Sequence, residues 1–196
     1  MTKMALKGRL ALLQRHLDAH KATLFAKQHR DGKRRRKFDL GGSFKVGLGS
    51  TQPGHLRHLA NEQPGFKRHN FKNTAVYVKP VHEQKLTREA KRAYEMASDI
   101  VNMVDPDYAA GEYLVQFAHM CSDEHRVEKH VDGEDISYQY AVSLGDYMGA
   151  TLRSYGEKGF TDLDNHNKIA KFDGRLPHEV ITNKFSGNRF TVVWYK

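Results

Sequence analysis

Between residues 4 and 28 the apolar positions Leu6, Leu10, Leu13, Leu17, Leu24 and Phe25 recur at spacings of three, four and seven. That is the stripe of an amphipathic helix seeking a core to pack against. Residues 29–70 carry few large apolar side chains and several glycines, Gly41, Gly42, Gly47, Gly49 and Gly54 among them, and read as mostly loop. Asn73–Val81 has the Val and Tyr content of a strand. Over Glu83–Val104 the helical period returns with Leu86, Ala90, Ala93, Tyr94, Ala97 and Ile100, and this second helix is predicted to stop at Asp105-Pro106, because the residue before a proline disfavours the helical conformation. From residue 111 onward short β-type runs alternate with Gly, Asp and Asn: Gly111–Met120, Val127–Asp132, Ile136–Leu144, Met148–Tyr155, Asn167–Phe172, Pro177–Thr182 and Arg189–Tyr195. Strands so closely and evenly spaced predict a mainly β barrel or sandwich with flanking α-helices.

A chain of 196 residues suits one folded body with attachments. We expect a basic helix-and-loop extension over residues 1–70 and a single catalytic domain over 71–196. No apolar run approaches the roughly 20 residues needed to cross a bilayer, so no membrane association is expected. The one cysteine, Cys121, excludes an internal disulfide framework and fits a reducing intracellular compartment, nucleus or cytoplasm, or a viral or mobile-element protein. Charge is divided unevenly. Residues 1–80 hold 18 Lys or Arg against 4 Asp or Glu, a net of +14, whereas residues 81–196 hold 14 against 19, a net of −5. Such a division points the first half toward a polyanion.

The glycines of Gly47-Leu48-Gly49-Ser50-Thr51-Gln52 lack the third glycine of a dinucleotide loop, and no Gly-Lys-Ser/Thr follows, so they do not make a phosphate cradle. More chemistry lies in His130-Val131-Asp132, followed 46 residues after Asp132 by His178 at the start of another predicted strand. Positions i and i+2 of an extended chain share a face, so His130 and Asp132 present an imidazole and a carboxylate to one point. A strand passing opposite can add His178. Two histidines and one carboxylate on one side of an ion leave its other positions open, the arrangement that serves Fe(II) oxygen chemistry.

The surrounding text extends the pattern: Phe172-Asp173-Gly174-Arg175-Leu176-Pro177-His178-Glu179-Val180, then Gly187-Asn188-Arg189-Phe190-Thr191. In residue type and order, residues 111–196 resemble the Fe(II)/2-oxoglutarate-dependent oxygenase superfamily. The resemblance implies a double-stranded β-helix (jelly-roll or cupin-like) core supported by the two helices. It also implies Fe(II) on His130, Asp132 and His178, with 2-oxoglutarate and dioxygen as cosubstrates. By the same resemblance Arg189 grips the far carboxylate of 2-oxoglutarate, which a guanidinium does in bidentate fashion, and Thr191 adds a hydroxyl. Of the pair Tyr138 and Tyr140, one is expected in the core and the other, assigned as Tyr140, at the cosubstrate. Ser143-Leu144-Gly145-Asp146-Tyr147, with Gly149, Leu152 and the Phe-Asp-Gly-Arg-Leu-Pro-His segment, looks like the branch of ten-eleven-translocation and J-binding proteins. That branch oxidises the methyl group of 5-methylpyrimidines (5-methylcytosine or thymine) in nucleic acid.

On this reading the partner is nucleic acid, most simply DNA, and Lys33, Arg34, Arg35, Arg36 and Lys37 neutralise phosphates without choosing sequence. Such a run equally serves as a solvated segment or a nuclear-import address. Phe66 and Phe71, set among Lys67, Arg68 and Lys72, either stack on an exposed base or anchor their loop. The alternative function is a peptidyl (prolyl-type) hydroxylase, favoured by the short interval of eleven residues from His178 to Arg189. Two further groups have plainer readings. Arg175 is expected to hold the distal strand through Asp173, and His119, Cys121 and His125 fall short of the four ligands of a structural zinc.

Overall fold

The computed structural model describes residues 3–25, 42–47, 87–111, 113–123, 126–133 and 135–196. Lys33–Lys37, Phe66, Phe71, His125 and the strand expected over Asn73–Val81 lie outside the described residues.

Helix α1 (Lys3–Ala19) forms on the predicted stripe, and Leu10, Leu13 and Leu17 are buried. It does not run on to residue 28. At His20 the backbone leaves the helical region (φ −114, ψ 15), and a single further turn, α2 (Lys21–Leu24), delivers Leu24 and Phe25 to the same core. Strand β1 (Gly42–Gly47) pairs antiparallel with the edge of the larger sheet, where a loop was expected. A glycine-rich hexapeptide shows little β-propensity by itself, and pairing with an existing edge supplies what the sequence pattern lacks.

Helix α3 (Arg88–Val104) begins where Thr87 accepts a hydrogen bond from the Ala90 N–H (3.1 Å) and buries Ala90, Ala93, Tyr94, Ala97, Ile100 and Val101. As predicted, it ends before Pro106. Asp105 then caps a short new helix, α4 (Pro106–Ala110), by accepting from Tyr108 N at 2.9 Å, with proline at the first turn where its missing N–H costs nothing.

The strands that follow are β2 (Leu114–Met120), β3 (Gln139–Leu144), β4 (Tyr147–Gly156), β5 (Gly159–Leu163), β6 (Ala170–Phe172), β7 (His178–Gly187) and β8 (Arg189–Tyr195). They form a five-stranded sheet in the order β1-β2-β8-β3-β6 and a three-stranded sheet in the order β5-β4-β7. Val127–Asp132, expected as a strand, makes only a single bridge, His130 to His178, with the Val180 N–H donating to Val127 O beside it. That bridge gives the smaller sheet a fourth, rudimentary member. The chain therefore passes from the large sheet (β2) to the small one (127–130), back to β3, out to β4 and β5, and again through β6, β7 and β8. This winding of two facing sheets is the double-stranded β-helix, or jelly roll.

The two faces of the large sheet have separate duties. Phe190, Val192 and Trp194 of β8, with Tyr140, Val142 and Leu144 of β3, pack outward under the helices, and the Trp194 indole donates to Ala97 O at 3.1 Å. The alternate residues turn inward, where Ala141, Leu152 and Phe172 with Leu163 and Val193 make a small second core between the sheets. This inner layer leaves Gln139, Ser143, Arg189 and Thr191 facing the barrel interior, because strand residues alternate between faces.

Candidate metal and cosubstrate site

His130 and His178 meet across an antiparallel bridge in which each backbone N–H donates to the other's carbonyl, at 3.0 and 2.9 Å. Asp132 follows two residues after His130, and its N–H donates to Gly174 O at 2.9 Å. Between them these bonds fix three side chains on one point at one end of the barrel. One ligand atom from each of His130, Asp132 and His178 lies within 4.8 Å of the others, the only such group among the described residues. Asp132 Oδ1 is 3.5 Å from His130 Nε2, and Oδ2 is 3.5 Å from His178 Nε2.

Both rings are held in one tautomer. Nδ1 of His130 donates to Glu128 O (2.8 Å) and Nδ1 of His178 to Leu176 O (2.9 Å), which leaves the Nε2 lone pairs facing the carboxylate. Carbonyls that orient the second ring nitrogen are the usual outer partners of metal-binding histidines. Burial alone would raise the Asp132 carboxyl, but His178 and Gln139 outweigh it and hold the group below its ordinary value. Burial opposes the charged form of His178, while Asp132 and the Leu176 carbonyl carry its pKa above the ordinary 6.5. A cation entering the site therefore competes with a proton for His178.

At the start of β8, Arg189 is 3 % exposed, and its Nε has no hydrogen-bond partner among the described residues. No carboxylate among the described residues pairs with it. Burial pulls the guanidinium below its ordinary value, and Tyr147 beside it offsets part of that pull. An unpaired buried cation is costly. Ser143, opposite Thr191 in the β3–β8 register, has a buried hydroxyl with no partner among the described residues; the same holds for Nδ2 of Asn165, whose backbone carbonyl takes the Ser143 N–H at 2.8 Å. Together these are donors awaiting an anionic group.

Tyr140 is not brought to this site. It and Tyr138, the residue just before β3, stand two apart, so they share the outward side rather than dividing between two, and both hydroxyls donate to Asp105 Oδ2, at 2.7 and 3.0 Å. Arg175 grips Asp173 through Nε and Nη2, each at 2.8 Å, and so braces the turn before His178. His119 belongs to the outer core, stacked on Phe190 with ring centroids 4.8 Å apart. Sequence reasoning gave no site role to Gln139, to Ser143, which entered only as part of a branch motif, or to Asn165. The legible signal for the first two was a polar residue at an inward position of a strand that is otherwise apolar.

The Asp173–Arg175 pair carries a pH prediction. The side-chain bonds from Arg175 hold the Asp173 carboxyl below its ordinary 3.8, so its stabilising effect is present above pH 3.8 and is lost as pH falls through the lower folded value. Both side chains are about a third exposed, and solvent screening limits the effect of Asp173→Asn to about 1 kcal/mol or less at neutral pH. Urea melts should show that difference at neutral pH and its disappearance in acid.

Fold and ligand set together define a double-stranded β-helix carrying a two-histidine, one-carboxylate site. No family model matches the chain, and no curated protein matches its sequence. Similar solved structures include a Pseudomonas putida prolyl-4-hydroxylase, 15% identical, with 99% of this chain and 87% of that one covered at a TM-score of 0.48. Another is an oxidoreductase of the 2OG-Fe(II) oxygenase family from Burkholderia pseudomallei, 16% identical, where 51% of this chain spans 56% of that one at 0.40. A third is the hydroxypropylphosphonic acid epoxidase of S. wedmorenis, 6% identical, with 43% of each chain covered at 0.33. None reaches a TM-score of 0.5, and the fold is carried by the strand order described above.

Proposed function

We propose that the chain is an Fe(II)/2-oxoglutarate-dependent oxygenase that hydroxylates the methyl group of a 5-methylpyrimidine in nucleic acid. The observation that carries the chemistry is the pairing of two features in one barrel: a tautomer-fixed His130–Asp132–His178 group at the mouth, and on β8 of the facing sheet a buried Arg189 with no carboxylate partner among the described residues. The donor set fits the implied groups. Two neutral imidazoles and one carboxylate suit Fe(II). The orphaned donors of Arg189, Ser143 and Asn165 suit the carboxylate of a keto acid, with Thr191 on the same face. When bound, Fe(II), 2-oxoglutarate and dioxygen supply C–H hydroxylation coupled to release of succinate and carbon dioxide. His130, Asp132 and His178 would hold the ion, and Arg189 would orient the cosubstrate toward it. The apolar layer of Ala141, Leu152 and Phe172 would exclude water.

Support for a nucleic-acid substrate comes from the +14 charge of residues 1–80, which favours a polyanion, and from the mouth itself. The side chains of His130 and Asp132 are 39% and 38% exposed, an opening suited to a group presented by a large molecule. In a duplex that group is a base turned out of the stack. The interval of eleven residues between His178 and Arg189 favours a second reading, a peptidyl hydroxylase of the prolyl type. Strand β7 runs nearly the whole interval and turns straight into β8.

Aerobic incubation with Fe(II), 2-oxoglutarate and 5-methylcytosine DNA, then digestion and mass spectrometry of the nucleosides, tests the proposal. A hydroxymethyl nucleoside absent from the Asp132→Ala control is the expected result. Succinate with a hydroxylated proline peptide and no modified nucleoside would move the substrate to protein. Neither product, with nucleic acid or peptide, would overturn the oxygenase reading.

A further inference from the structure

His178 stands on a regular strand and His130 is tied to it by a two-bond bridge, but Asp132 lies on an irregular segment. Its side chain needs an anchor from elsewhere. Gln139 supplies one. Its side chain is 1% exposed, at the start of β3 between β8 and β6 of the large sheet, and its Nε2 donates to Asp132 Oδ2 at 2.6 Å. The same nitrogen donates to Oδ2 of Asp135, which is itself only 4% exposed. Both protons of the amide are thus committed to carboxylates. The reverse orientation would set Oε1 against two anions, so the amide has one arrangement.

Around this amide the chain leaves no slack. A Cβ on Gly174 would fall 2.6 Å from Gln139 Cδ and 2.8 Å from Asp135 Oδ2, so a glycine is required there. Through its carbonyl, that glycine also holds the Asp132 backbone. Oδ2 of Asp132 takes the Gln139 bond and still faces His178, while Oδ1 faces His130, so one bond to Gln139 fixes the orientation of the whole carboxylate.

We propose that Gln139, backed by Asp135, is the positioning residue of the metal site. It fixes the Asp132 carboxylate from a rigid strand, with Oδ1 toward His130 and Oδ2 toward His178, before any metal arrives. The inference rests on the reading of His130, Asp132 and His178 as metal ligands. Outer partners of metal ligands typically contribute about 10–100-fold in affinity, and a site held by strand residues is more rigid than one left to its loop.

The test is isothermal titration of the metal-free full-length protein with Mn(II), comparing wild type, Gln139→Met and Asp132→Ala, with circular dichroism of each. Gln139→Met keeps the length of the side chain and removes both donors. It should stay folded and bind Mn(II) about 10–100-fold more weakly than wild type. A merely structural role would lower the melting temperature and leave the affinity of the folded protein unchanged, and that result would overturn the proposal. If Gln139→Met does not fold, Gln139→Asn, which keeps an amide too short to reach, is judged by the same criterion. Should wild type fail to bind Mn(II), the metal site itself falls. Equal binding by wild type and variant refutes the role of Gln139 alone.

Discussion

Asp132→Ala is expected to abolish succinate formation while leaving the protein folded. Asp132 supplies the only carboxylate of the ligand group. Loss of a direct ligand must cost more than the about 10–100-fold that outer partners contribute, so metal affinity should fall by more than a hundredfold. The fold should survive for a local reason. Asp132 sits on an irregular segment whose backbone bond, Asp132 N–H to Gly174 O, does not involve the side chain. The variant does leave one Gln139 proton without its acceptor, at about 1–3 kcal/mol, to be seen as a modest fall in melting temperature. Succinate release by mass spectrometry, Mn(II) titration and circular dichroism read the three consequences separately. Normal succinate production by a folded Asp132→Ala protein would sink the metal assignment.

Arg189→Met separates binding of the cosubstrate from folding. If the guanidinium grips a carboxylate of 2-oxoglutarate, its removal forfeits charge-assisted hydrogen bonds, and a loss of about 3 kcal/mol raises the 2-oxoglutarate requirement roughly a hundredfold. Metal affinity should stay near wild type, because Arg189 is not among the ligand group. Stability in the absence of cosubstrate should move the other way. The buried Arg189 has no carboxylate partner among the described residues, and exchanging an uncompensated buried charge for an apolar side chain of similar length is neutral or stabilising. The combined signature is a protein at least as stable as wild type that needs far more 2-oxoglutarate and that the cosubstrate no longer protects against heat. An unchanged requirement for 2-oxoglutarate in Arg189→Met would remove Arg189 from the site.

Much of the architecture was legible because it follows from local periodicity. Leu10, Leu13 and Leu17 mark a helical stripe whatever they pack against, and Pro106 ends a helix wherever it stands. Legibility failed where the stabilising contact is distant. β1 is a strand because β2 offers an edge, and β5 (Gly159–Leu163) is one because β4 turns back on it. The segment 127–132 carries strand-like residues yet forms only one bridge.

The site divides along the same line. Sequence alone determined which side chains were chemically suited to a cation and a carboxylate: His130 and Asp132 by their spacing of two, His178 by its place at a strand start, and Arg189 and Thr191 by the family pattern. Only the tertiary structure decided which of them meet. The bridge from His130 to His178 joins residues 48 positions apart, and no local preference encodes that pairing. Tyr140 was sent to Asp105 and the outer core because residues two apart on a strand share a face. Gln139, in the sequence only a polar residue in an apolar strand, was given its place by the buried Asp135 and the absent side chain of Gly174. Local pattern reports how each segment turns; the meeting of segments is set by burial and hydrogen bonding summed over the whole chain, which no short window of residues contains.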